Sequence, residues 1–162
     1  MATDPSPFVD RPERKKEFQQ LIKQLKRKKP RDLDEQMQHA HQEVFAYTDC
    51  LQCANCCKTT GPLFTDKDID RLARHLRMKA ADFETQYLRT DEEGDKVLQS
   101  VPCPFLGADN YCSVYEHRPK ACREYPHTDR RRQQQILSLT EKNASVCPAV
   151  YDILLRLEQH YR

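Results

Sequence analysis

The chain has 162 residues, 32% of them charged, a formal net charge of +2 and a mean hydropathy of −0.91. That length suits one modest core hiding roughly 70% of the surface the unfolded chain exposes, and the near-balanced charge does not by itself call for nucleic acid or membrane. The opening residues lack the apolar stretch of a secretory signal and no run approaches a membrane span, so a cytoplasmic, reducing setting without membrane partners is expected.

In chain order, residues 1–9 read as a short disordered lead with two prolines. Over residues 12–29 the apolar positions Phe18, Leu21, Ile22 and Leu25 recur at i, i+3, i+4 and i+7, the pattern of an amphipathic helix that Pro30 ends. Residues 11–31 hold ten Lys/Arg against Glu13 and Glu17, a local charge of +8. A second helix is expected over 33–47, with Leu33, Met37, Ala40, Val44 and Tyr47 on one face, and the two segments read as an antiparallel hairpin or extension. Thr65 with Asp68 resembles a capping box, Asp standing where Glu is more usual. Ile69, Leu72, Ala73 and Leu76 then line a helix, and a shorter one over 80–88 carries Phe83 and Leu88.

Residues 91–95 make an acidic turn, followed by a short strand over 96–101. Residues 103–115 read as a hairpin turning on Gly107, Ala108, Asp109 and Asn110. Arg118-Pro119 opens a helical turn through Arg123, and a last helix from Pro148 buries Val150, Ile153, Leu154 and Leu157. The expected architecture is mainly α with a small β-hairpin. A compact cysteine-rich, metal-organised domain over 49–162 follows a helical N-terminal extension over 1–48.

The cysteines carry the chemistry. Cys50, Cys53, Cys56 and Cys57 fall within eight residues, and Cys103, Cys112, Cys122 and Cys147 follow singly. Thiolates are soft metal ligands, and a CxxC turn converges two of them on one ion. Disulfides are the competing reading, but they are rare in the cytosol, and cysteine at about 5% falls short of the roughly 8–10% of small disulfide scaffolds. Neighbouring side chains diverge along a helix or strand, so Cys56 and Cys57 are expected to serve different ions or different atoms of a cluster. Two four-thiolate sites, or one site with spare thiols as small apolar fillers, both fit eight cysteines.

Zinc and iron are not separated by spacing. Cys-x2-Cys-x2-Cys is shared with ferredoxin-type loops, but the next ferredoxin cysteine should follow after three residues and does not. Three glycines cannot make a phosphate cradle or dinucleotide fingerprint, and neither CxxC is followed by the His of a haem attachment site.

These motifs resemble the zinc- or iron-chelating domain family, the YkgJ-like cysteine-cluster proteins. The match runs through Cys50-x2-Cys53-x2-Cys56-Cys57, Cys103-Pro-Phe-Leu, the run from Cys112 through Cys122 to Arg-Glu-Tyr-Pro, and Cys147-Pro. Ala54 stands where relatives commonly have Gly. The resemblance implies metal chelation and no general reaction; a related motif in some flagellin lysine methylases points towards iron–sulfur enzymes. The basic helix lies outside it.

Other residues have plain readings beside sharper ones. Arg118, Lys120 and Arg123 could compensate a four-thiolate site or simply bond carbonyls of the helical turn. Tyr115, Glu116 and Tyr125 suit packing better than a substrate pocket, and His117 and His127 suit surface roles better than ligation. Asp66, Asp68 and Asp70 suit a helix start. A solvated face explains the basic helix better than nucleic acid does, although Arg130, Arg131 and Arg132 would extend the patch if they fold nearby.

The expected function is therefore a cysteine-cluster metal-binding protein, holding zinc or iron (or an iron–sulfur cluster) through most of the eight thiolates and presenting a surface to a protein partner. The alternative is an iron–sulfur enzyme or electron-transfer protein with a pocket beside Arg118 and Tyr125, and a third is a metal-handling protein that passes ions onward. No nucleophile or general base is assigned.

Overall fold

The computed structural model describes residues 14–49, 53–59 and 61–162, the side chain of Asn55 apart. The expected lead over 1–9, the start of the first helix and Cys50 lie outside the described residues. The chain divides into two compact units, one formed by Met1–Cys53 with Pro126–Arg162 and the other by Ala54–Tyr125.

Unit 1 is helical. Helix α1 (Lys15–Lys28) buries Phe18, Leu21, Ile22 and Leu25, the four residues its periodicity marks. It stops at Lys29, whose φ of 46° is left-handed and whose N–H returns to the Leu25 carbonyl at 3.0 Å. Lysine takes the place glycine usually fills there, and Pro30 prevents continuation. Helix α2 (Leu33–Phe45) buries Leu33, Met37, Ala40 and Val44. Tyr47 departs from expectation: the helix ends two residues earlier, the ring is 59% exposed, and its hydroxyl donates to Asp152 Oδ2 at 3.2 Å.

The two N-terminal helices do not pair chiefly with each other. Helix α2 lies along the C-terminal helix α8 (Pro148–His160), while α1 packs on α8 and on α7 (Leu137–Asn143). Helix α8 buries Val150, Ile153, Leu154 and Leu157 as expected, with Ala149 and Tyr151 beside them. Helix α7 and the 3-10 turn before it, Gln133–Ile136, have no counterpart in the sequence reading. The shared core seats Leu25 at 1% exposure, so Leu25→Ala would cost about 2–5 kcal/mol.

Unit 2 begins with α3 (Asn55–Thr59) and strand β1 (Leu63–Phe64). Helix α4 (Asp66–His75) starts at the expected capping box: Thr65 Oγ1 accepts the Asp68 N–H at 3.1 Å, and Asp68 Oδ2 accepts the Thr65 N–H at 2.9 Å. Helix α5 (Ala80–Tyr87) runs into β2 (Leu88–Thr90), which turns back as β3 (Lys96–Leu98). The sheet is antiparallel in the order β1-β3-β2, with Leu88 opposite Leu98 and Leu63 opposite Val97. In the turn, Asp91 Oδ1 accepts the N–H groups of Glu93 and Asp95, both at 2.9 Å, and Gly94 takes a φ of 86° that glycine adopts without strain.

Phe64, Ile69, Leu72, Phe83, Leu88, Leu98, Phe105 and Val114 form the core of this unit. The small hairpin is therefore the one at 88–98. Residues 103–115 make a closed loop with a single bridge, Leu106 opposite Cys112, because the turn leaves too few extended residues for a ladder. Helix α6 (Lys120–Glu124) follows Pro119 as expected.

Candidate metal centre

Three chain segments of unit 2 bring five cysteines towards one region. Cys56 and Cys57 ride on α3, which begins after Ala54, a buried residue with a φ of 47°. That left-handed turn suits glycine, the residue expected there, and alanine adopts it at a cost. The Cys57 carbonyl accepts the Cys103 N–H at 2.8 Å and so ties α3 to the second segment.

The second segment is the loop holding Cys103 and Cys112. Phe105 anchors it in the core, its ring parallel to Phe83 with centroids 6.2 Å apart and 4.9 Å from that of Tyr87. Across the loop, Ser113 N–H donates to the Phe105 carbonyl and Gly107 N–H to the Tyr111 carbonyl, each at 2.8 Å. Cys103 and Cys112 pack against the core at the loop's base.

The third segment is α6, which carries Cys122. Its entry is clamped from α4: Arg71 Nη2 donates to the Arg118 carbonyl at 2.8 Å, and Asp68 Oδ1 accepts the Lys120 N–H at 3.1 Å. Asp68 is buried and also receives Arg71 Nη2 at 2.8 Å, so the pair is locked on both sides. The sequence reading gave Asp68 a helix-start role only. The available signal was its place four residues before Leu72, on the apolar face of its helix.

Electrostatics links the thiols. The Cys56 thiol donates to the Cys57 sulfur and brings Cys57 down to about 7; burial opposes this and the Arg118 guanidinium adds to it. The two adjacent thiols thus interact within α3. Burial pushes the Cys122 thiol up to about 12, and negative charge on Cys57, Cys103 and Cys112 pushes it the same way. Burial likewise raises Cys103, with Cys57 and Cys112 contributing, and raises Cys112, with Cys57 contributing and Arg118 opposing.

Negative charge on Cys57 therefore reaches Cys103, Cys112 and Cys122, and Arg118 acts on Cys57, Cys112 and Cys122. Arg118 makes the carbonyl bond weighed for it, and its charge acts on three of the thiols. Its Nε donates to the Tyr115 carbonyl at 2.9 Å with the guanidinium 3.9 Å from the Tyr115 ring centroid, while its charge favours the thiolates. His117 stacks on His75 with centroids 4.1 Å apart.

Cys53 and Cys147 belong to unit 1, where Cys147 precedes α8 and packs against that unit's core. All seven described cysteines are half-buried and none is in a disulfide. Among the described residues, no three His, Cys, Asp or Glu side chains stand in a ligating array around one point. The donor set of unit 2 fits a soft metal by its chemistry: five half-buried thiols from three stretches of chain, with the Arg118 cation acting on three of them.

Comparison with family models finds the Putative zinc- or iron-chelating domain over residues 49–148, and the chain belongs to that family. No curated protein and no solved structure matches the chain. No helix among the described residues is long and apolar enough to cross a membrane.

Proposed function

We propose that the chain is a metal-binding protein of a reducing, cytoplasmic setting, in which Cys57, Cys103, Cys112 and Cys122 hold one zinc or iron centre. The observation that carries this reading is the bond from the Cys103 N–H to the Cys57 carbonyl at 2.8 Å, beside which Cys57, Cys103 and Cys112 all act on the Cys122 thiol. Four thiolates on one divalent ion leave a charge of −2, which the Arg118 guanidinium offsets. Binding displaces protons from the Cys103, Cys112 and Cys122 thiols, which burial keeps protonated.

A centre closed by four protein ligands organises the loops at 103–113 and 118–124 and presents them to a protein partner. An iron–sulfur cluster on the same thiols would supply electron transfer in that place.

The test is metal and acid-labile sulfide content of protein purified without oxygen, with an absorption spectrum taken before air exposure. Zinc without sulfide or visible absorption supports the organising centre. Iron with matching sulfide and a brown chromophore supports the cluster. A folded chain that takes up neither metal overturns the reading.

A further inference from the structure

Two basic runs far apart in sequence adjoin in unit 1. The first closes α1: residues 26–29 are all Lys or Arg and exposed, and Arg31 follows them, exposed as well. The second is Arg130, Arg131 and Arg132, again exposed. Bonds between neighbouring residues fix them side by side. Asp34, in the first turn of α2, accepts the N–H groups of Arg132 at 2.8 Å and Gln133 at 2.9 Å. Gln134 Nε2 donates to the Leu25 carbonyl at 3.2 Å, and Lys26 Nζ donates to Ser138 Oγ.

The arginine loop is also held from within. The buried Gln133 side chain donates through Nε2 to the His127 carbonyl at 2.8 Å and to the Arg130 carbonyl at 3.0 Å. Its backbone therefore stays fixed while the arginines remain exposed, which lowers the ordering cost of binding. Cations in the last turn of a helix have a plain reading, since they complement the helix dipole. That accounts for Lys26, Arg27 and Lys28. It does not account for Lys29 and Arg31 beyond the helix end, nor for a second cationic run braced against them.

We infer that this composite surface binds the phosphate backbone of nucleic acid without sequence preference. A backbone's regular charge can span both runs, and Lys and Arg without exposed aromatics engage phosphates rather than base faces. A lipid surface fits less well. A membrane-lying helix needs an apolar face to insert, and every apolar residue of α1 lies in the protein core. The nearby carboxylates are largely engaged: Asp34 holds two backbone amides, and Asp32 accepts Tyr161 Oη at 2.8 Å and pairs with His160. Among the described residues, Asp129 and Glu35 are exposed opposing charges.

The test is fluorescence anisotropy of the full chain with labelled single-stranded RNA and duplex DNA, alongside flotation with phosphatidylserine-containing vesicles. Binding is expected at ~50 mM salt, with log K falling linearly in log salt at a slope of about −4. Lys28→Gln with Lys29→Gln, and separately Arg131→Gln with Arg132→Gln, should each weaken binding about tenfold or more and flatten the slope by about two, with thermal melting unchanged. Loss from one pair only overturns the composite surface. Vesicle binding without oligonucleotide binding overturns it in favour of a membrane, and no binding at low salt overturns it outright.

Discussion

The Asp68 carboxylate accepts the backbone N–H of Lys120 at 3.1 Å, across 52 residues of sequence. The same side chain caps α4 through Thr65 and holds Arg71, whose other contact is the Arg118 carbonyl. One buried acid thus sets a helix start and, two residues before Cys122, the entry of the helix that bears a proposed ligand. Asp68→Ala removes the cap and strands Arg71 and the Lys120 amide, a loss of about 2–4 kcal/mol. Asp68→Asn keeps the shape and loses the charge, for roughly half that cost. Thermal melting should rank wild type above Asn above Ala, and metal affinity should fall in the same order.

Acid should weaken unit 2 through the same residue. Burial raises the Asp68 carboxyl, but hydrogen bonds from Thr65, Arg71 and Lys120 outweigh it, and the net shift is downward. A carboxyl depressed in the folded state stabilises fully above its ordinary range, and that stability drains as pH falls through the folded value. Chemical denaturation followed at descending pH should lose stability below the ordinary carboxylate range. Asp68→Asn should show a shallower loss.

The metal-free chain should sort its thiols by reactivity. Cys57, at about 7, is substantially thiolate at neutral pH, whereas Cys122, at about 12, is fully protonated there. Because the thiolate is the nucleophile, alkylation read by mass spectrometry should label Cys57 well before Cys122 at pH 7. Its rate should level off as pH rises past about 7. Equal labelling of the two would contradict the electrostatics of the cluster.

Ala54 offers a gain. A left-handed alanine costs about 1–2 kcal/mol relative to an unstrained backbone, and glycine removes that strain while adding about 0.4–1 kcal/mol of unfolded-state entropy. Ala54→Gly should therefore stabilise the fold by up to about 1 kcal/mol, seen as a higher denaturation midpoint with an unchanged slope.

Much of the fold is legible because burial is periodic. The stripes of α1, α2, α4 and α8 mark the faces that the structure buries, and the capping box at Thr65 marks a helix start. Periodicity does not say what covers a stripe, so the packing of α1 and α2 against the C-terminal helices stayed hidden. Helix α7 was missed because its approach is the polar run Gln133, Gln134 and Gln135, and Leu139 on the helix is 40% exposed, which blurs any stripe.

At the candidate site, residue type and spacing point to thiolate chemistry and to the family. They cannot group the ligands. The segments that carry Cys57, Cys103 and Cys122 are tied by the bond between α3 and the Cys103 loop and by the Asp68 clamp. Both are contacts between segments with no local sequence signature. Cys53 and Cys147 share the family motif, yet the structure places them in unit 1.

The most direct test is metal bound by a chain that keeps only Cys57, Cys103, Cys112 and Cys122, with Cys50, Cys53, Cys56 and Cys147 changed to Ser. The account predicts one metal centre per chain whose X-ray absorption fits sulfur neighbours alone, at about 2.3 Å if the ion is zinc. A variant that folds by circular dichroism but binds no metal, or binds it through nitrogen and oxygen, would contradict the proposed centre.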